Sequence, residues 1–153
     1  MIRPTMEQAR NFCQDNTIIP ICLELFSDIK TPIERLKCLK AEQKKCFLLE
    51  SVEGGEKRGR YSFLGFNPEL TIKCQDGMTQ VIGAKSQEFF IDNPSVVLRN
   101  ILAAYKSPSF DFLPTFTGGF VGYFAYDYAK YVEKSLKLNN ASSGNFDDLN
   151  LML

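Results

Sequence analysis

Glu50 and Ser51 stand side by side where the apolar run Cys46-Phe47-Leu48-Leu49 gives out. A carboxylate next to a hydroxyl can accept hydrogen bonds from an ammonium group. That is half of what a zwitterionic ligand such as an amino acid requires. The other half is a set of donors for its carboxylate and an apolar slot for its side chain. Leu48, Leu49 and the nearby aromatics supply part of such a slot. In a regular strand, however, Leu48 shares a face with Glu50, and Leu49 shares one with Ser51. Both polar groups reach one ligand only if the strand ends or bulges here, or if one of them contributes backbone. The competing reading is an ordinary strand end.

Other stretches resemble sites less well. Gly54-Gly55-Glu56-Lys57-Arg58-Gly59-Arg60 lacks G-x-x-x-x-G-K-[ST] and precedes a strand pattern. It therefore offers no helix N-terminus to a phosphate and reads as a solvated turn. Gly118-Gly119-Phe120-Val121-Gly122 misses G-x-G-x-x-G and reads as close backbone packing. Cys13, Cys22, Cys38, Cys46 and Cys74 are widely spaced with no C-x-x-C pair, and the chain has no histidine. No zinc site is expected from these residues, and the cysteines read as small core residues. Without histidine, Ser-His and Cys-His catalysis are absent from this chain alone.

The elements that position these residues follow from capping and periodicity. Thr5 with Gln8 forms a capping box and predicts a helix from Met6 to about Gln14. Ile18–Phe26 reads as a strand with Pro20 near its start. Thr31-Pro32-Ile33-Glu34 opens a helix fading around Gln43, with Ile33, Leu36 and Leu39 or the Lys40 stem on its buried side. Cys46–Val52 and Arg60–Phe66 then form two strands joined by the glycine-rich loop. Asp76-Gly77 predicts a hairpin between Glu69–Gln75 and Met78–Ile82, and Gln87–Ile91 a further short strand. Asn93-Pro94 opens a helix whose apolar face is Val97, Leu98, Ile101, Leu102 and Tyr105. Pro108 and Pro114 bracket a loop. Thr115–Tyr126 reads as a buried strand passing into a short helix at Asp127–Lys134. Leu138–Asp148 is polar and aperiodic, a surface loop, whereas Leu149–Leu153 alternates like a strand just beginning. A natural terminus seldom stops inside such a run, so a truncated protein is expected. The fold class expected is α+β, a mainly antiparallel sheet with three to four packed helices.

Bulk properties narrow the function classes. At 153 residues the chain allows one domain, or one with a tail. Lys plus Arg balance Asp plus Glu at 18 each, so charge gives no case for nucleic acid or an anionic membrane. No apolar run approaches the ~18–20 residues that span a bilayer, and the N-terminus lacks a signal-peptide core. A cytoplasmic protein is expected.

Three blocks carry a family resemblance: Leu48-Leu49-Glu50-Ser51, then Arg60-Tyr61-Ser62-Phe63-Leu64-Gly65, then Gly118-Gly119-Phe120-Val121-Gly122-Tyr123-Phe124-Ala125-Tyr126-Asp127. In order and separation they closely resemble the N-terminal region of anthranilate synthase component I, over about the first third of such a protein. The related component I of aminodeoxychorismate synthase, in the folate pathway, shares this region. The resemblance implies that residues 1–137 form the N-terminal domain of a larger two-layer fold. Residues 138–153 would then be a loop and strand leading into a C-terminal chorismate-binding part. It implies a Mg2+-dependent conversion of chorismate, with ammonia from a glutamine amidotransferase partner, to anthranilate and pyruvate in tryptophan biosynthesis. Metal ligands and catalytic residues would lie in the C-terminal part, so none is assigned to this chain, and the chain alone is expected to be inactive. What it would carry is part of the L-tryptophan feedback site: Ser51, Glu50 and, as an additional candidate, Leu49. The short connection after the motif departs from members with a longer insert, so Lys57 and Arg58 receive no role. The intact Leu-Leu-Glu-Ser favours anthranilate synthase over its folate relative. A reading of a different class is a free-standing amino-acid-binding module.

Overall fold

The computed structural model describes residues 1–26, 28–42, 45–50, 61–133, 135 and 146–153. The chain divides into two compact units, Met1–Glu24 with Leu70–Leu153, and Leu25–Glu69. Both are mixed α and β with antiparallel pairing throughout, the α+β class expected.

The larger unit begins with a two-residue strand β1 (Ile2–Arg3) and helix α1 (Met6–Phe12). The Thr5 hydroxyl accepts from the Gln8 amide at 3.3 Å, and the Gln8 side chain accepts from the Thr5 amide at 3.0 Å. This is the reciprocal capping box read from the sequence. Of the strand expected over Ile18–Phe26, only β2 (Cys22–Leu23) forms, pairing with β1. The amides of Thr17 and Ile18 go instead to the Lys106 carbonyl, which leaves the start of that stretch outside any ladder.

The body of this unit is a five-stranded sheet. β5 (Thr71–Gln75) and β6 (Met78–Ile82) form the hairpin predicted at Asp76-Gly77. Both turn residues have positive φ, 49° and 83°, the conformation that makes Asp-Gly a preferred pair in a two-residue turn. β7 (Gln87–Phe90) flanks β6 on one side. On the other side β5 pairs with β9 (Leu149–Met152), which pairs in turn with β8 (Val121–Phe124). The order is β7-β6-β5-β9-β8, so the last strand of the chain sits inside the sheet.

Register then builds the core. Ile72 faces Leu151 and Cys74 faces Leu149 across the β5–β9 ladder, all four buried. The helix α3 (Pro94–Ala104), capped by Asn93, supplies Leu98, with Ile101 packed alongside. Burying each large aliphatic side chain contributes about 1.5–3 kcal/mol. Leu102, assigned by periodicity to the same face, is exposed instead. Thr115–Tyr126 is not a buried strand as expected. Only β8 forms there, at the sheet edge, and most of it is exposed. It is followed by a 3₁₀ turn at Tyr126–Tyr128 and helix α4 (Ala129–Val132). Close packing governs Gly122 alone of its three glycines. A Cβ there would strike the Asn150 carbonyl oxygen and lie 2.9 Å from the Leu151 Cα, whereas Gly118 has open space around it.

The smaller unit consists of α2 (Pro32–Glu42) packed on a hairpin of β3 (Cys46–Glu50) and β4 (Ser62–Phe66). Thr31 and Glu34 cap α2 reciprocally, at 2.8 and 3.2 Å. Leu36 and Leu39 are half-buried, while Ile33 is exposed, against expectation. Opposite Phe47, Gly65 lies under the aromatic ring.

The cysteines correct the sequence reading. Cys74 alone is a buried core residue. Cys22 and Cys46 are half-buried, and Cys13 and Cys38 are exposed. Cys13 caps the C-terminus of α1, and Cys38 lies on an exposed position of α2. Among the described residues, no helix is long and apolar enough to cross a membrane.

Candidate functional site

The β3–β4 hairpin carries Glu50 as the last residue of β3, at the end where the two strands connect. Alternation is regular up to that point: Leu48 pairs with Leu64, Leu49 with Phe63 and Glu50 with Ser62. Directly paired residues share a face, so Glu50 lies with Ser62 and Leu48, and Leu49 lies with Phe63 on the other face. The Ser62 hydroxyl donates to Glu50 Oε1 over a long 3.4 Å. Both side chains are exposed, so the carboxylate keeps room for further donors. Leu49 is 46% exposed, and beside its partner Phe63 the ring of Tyr61 lies at 5.8 Å. The structure thus gives two separate half-sites, a carboxylate with a hydroxyl on one face and an apolar, aromatic patch on the other. Ser51 lies outside the described residues, as do Lys57 and Arg58.

A second constellation, in the larger unit, was not foreseen. Asp148, just before β9, is only 5% exposed. Its Oδ2 accepts from the Tyr131 hydroxyl at 2.6 Å and from the Asp76 amide at 2.8 Å. Lys130 Nζ lies 3.0 Å from the same oxygen and 2.8 Å from Asp76 Oδ1. Tyr131 also accepts from the Gly77 amide at 2.6 Å. One buried carboxylate therefore ties together the β5–β6 turn, α4 and the start of β9. Burial alone would push the Asp148 carboxyl up. The hydrogen bonds from Tyr131, Lys130 and the Asp76 amide outweigh it and hold the group below its ordinary value. Burial and the hydrogen bond to Asp148 push the Tyr131 hydroxyl far up. Burial opposes the charge on Lys130, but its two carboxylate partners prevail and raise it. This arrangement holds the fold, its carboxylate, phenol and ammonium groups being engaged with one another.

The sequence placed Asp148 at the end of a surface loop. The available signal was a pair of aspartates immediately before an alternating apolar run, and it does not name Tyr131 or Lys130 as partners. Among the described residues no group of three or more Cys, Asp or Glu is placed to hold a metal ion.

No family model matches the chain. Curated proteins do. Anthranilate synthase component 1 of Acetivibrio thermocellus is 37% identical over 134 residues, 87% of this chain and 27% of that protein. Its namesake in Pseudomonas aeruginosa is 38% identical over 120 residues, 77% of this chain and 24% of that protein. The chloroplastic anthranilate synthase alpha subunit 2 of Arabidopsis thaliana is 36% identical, covering 92% of this chain and 25% of that protein. Over most of its length the chain is similar to proteins of the anthranilate synthase component 1 family. It corresponds to the N-terminal region of that family and spans about a quarter of the length of the curated relatives it matches.

The strand pairing places the three sequence blocks in the fold. The Leu48–Ser51 block contributes β3 as far as Glu50, and the Tyr61–Gly65 stretch contributes its partner β4. The glycine-aromatic block forms β8 and the turn after it. Among the described residues, two of the three blocks thus meet in one hairpin, through the pairs Leu48–Leu64, Leu49–Phe63 and Glu50–Ser62.

Proposed function

We propose that the chain is the N-terminal, regulatory part of an anthranilate synthase component 1. In full length it would act as a lyase that converts chorismate and ammonia to anthranilate and pyruvate in tryptophan biosynthesis, in the cytoplasm. The observation that carries this reading is the identity of 36–38% to the three anthranilate synthases, spread over 77–92% of the chain. Those names favour it over the folate-pathway relative. A glutamine amidotransferase component would deliver the ammonia, and the chain's own C-terminal part would bind chorismate. Mg2+ would serve there, as the family resemblance implies.

Within this assignment, Glu50 and Ser51, with Leu49 as a further contact, contribute to an L-tryptophan feedback site. What supports this is the position of Glu50, an exposed carboxylate engaged by one long hydrogen bond at a strand end. Such a group can take the ammonium of an amino acid without breaking a stronger bond. Because Leu49 faces the other way, the ligand would use the Leu49 backbone or wrap the strand end. Fluorescence of anthranilate tests the assignment. Full-length protein with chorismate, Mg2+ and ammonium should form anthranilate, and residues 1–153 alone should form none. Formation of aminodeoxychorismate instead would move the protein to the folate pathway.

A further inference from the structure

The sheet of the larger unit ends on β8, and no other described strand pairs with its outer side. Ala125 donates its amide inward, to the Asp148 carbonyl at 2.8 Å. Amides alternate along an antiparallel strand, so those of Gly122 and Phe124 point outward, away from β9. Proteins ordinarily guard an open edge with charge, proline or a cover. The opposite edge, β7, carries Glu88, but Val121-Gly122-Tyr123-Phe124 has no charge and no proline. Around it the apolar surface is large: Phe124 is 52%, Phe146 74% and Tyr126 87% exposed. The Tyr123 ring meets that of Phe146 at 6.2 Å, extending the patch beside the edge. A neutral edge flanked by exposed aromatics is a template for strand addition, in which backbone bonds give affinity and side-chain contacts give specificity.

We propose that β8 receives a further strand, supplied by the rest of the full-length polypeptide beyond residue 153. This rests on the reading that the chain is the N-terminal quarter of an anthranilate synthase component 1. The matched relatives are about four times as long as the matched segment, so ample chain exists to provide the strand. It would continue the sheet past β8 and cover Phe124 and Tyr126. The β7 edge, with its charge, would stay open.

Amide hydrogen exchange on the full-length protein, read residue by residue, tests this. Tyr123 and Ala125 face β9 and serve as an internal reference. The expected result is that Gly122 and Phe124 exchange at least about 100-fold more slowly than an open strand edge, independently of protein concentration. A photo-crosslinking benzoylphenylalanine in place of Phe124 should then capture a peptide from beyond residue 153. Fast exchange at Gly122 and Phe124 overturns the proposal, as does crosslinking only to residues 1–153. Protection that disappears on dilution overturns it in favour of a second copy of the chain. Fast exchange in a long polypeptide that forms anthranilate overturns this proposal alone. A native polypeptide no longer than this chain overturns it together with the proposed function.

Discussion

Replacing Asp148 by asparagine keeps the shape of the side chain and removes its charge. In the wild type, one oxygen of Asp148 takes Tyr131, the Asp76 amide and Lys130, at 2.6, 2.8 and 3.0 Å. A hydrogen bond to a charged group contributes about 1.5–3 kcal/mol, and breaking a buried ion pair costs about 3–5 kcal/mol. Lys130 keeps Asp76 at 2.8 Å, and that partner is well exposed. The loss therefore falls near the lower bound, about 2–3 kcal/mol at neutral pH. For a chain of this size that is about 5–10 °C in Tm. Urea and thermal unfolding at neutral pH measure it. The pH dependence adds a sign. The folded protein holds Asp148 below its ordinary 3.8, so as pH falls the unfolded chain takes up the proton first. The stabilisation is whole above 3.8 and is lost as pH drops through the lower, folded value. The gap between wild type and Asp148→Asn should accordingly be widest at neutral pH and close in that acid range. Equal stability at neutral pH, or a gap unchanged down to strong acid, would refute the reasoning.

Gly122→Ala should cost about 1–3 kcal/mol or more, because the new Cβ meets the β9 backbone, which cannot give way; chemical denaturation reads this, and a neutral effect would count against the β8–β9 register. Gly77→Ala should cost about 1–2 kcal/mol, since φ of 83° is strained for any residue with a Cβ; an unchanged midpoint would contradict the turn. Lys130 is held above its ordinary 10.5, so its stabilisation is present below that value and lost as pH rises through the folded one. Alkaline unfolding of Lys130→Met should lack that component, and a curve parallel to wild type would argue against the ion pair.

What could be read from the sequence was whatever short-range chemistry decides. The capping box at Thr5–Gln8, the Thr31–Glu34 cap and the Asp76-Gly77 turn depend on residues no more than three apart, and each formed as expected. The two strands of the hairpin bearing Glu50 were legible from their apolar runs, although they pair residues 12 or more apart. Long-range pairing was not. The alternation of Leu149–Leu153 gave a strand, but nothing local says that it lies between β5 and β8. Thr115–Tyr126 looked buried because aromatics and glycines promise packing, yet edge position decides exposure and depends on the whole sheet. Asp148 was hidden for a related reason: its partners Tyr131 and Asp76 lie 17 and 72 residues away. The cysteines misled because residue type reports an average tendency to burial, whereas Cys13 caps the end of α1 and Cys38 sits at an exposed position of α2.

Tryptophan inhibition of the full-length enzyme, wild type against Ser51→Leu, tests the central claim most directly. Leucine would remove the hydroxyl and crowd the proposed tryptophan site. Losing a hydrogen bond to a charged ligand group costs about 1.5–3 kcal/mol, so inhibition should weaken roughly ten- to a hundred-fold or more. Uninhibited kcat should stay near wild type, because in the proposed function chorismate would be bound in the C-terminal part. By reciprocity of coupled binding, tryptophan should also lower chorismate affinity less in the variant. Unchanged tryptophan inhibition in a folded, active Ser51→Leu enzyme would contradict the account, as would a wild-type enzyme indifferent to tryptophan.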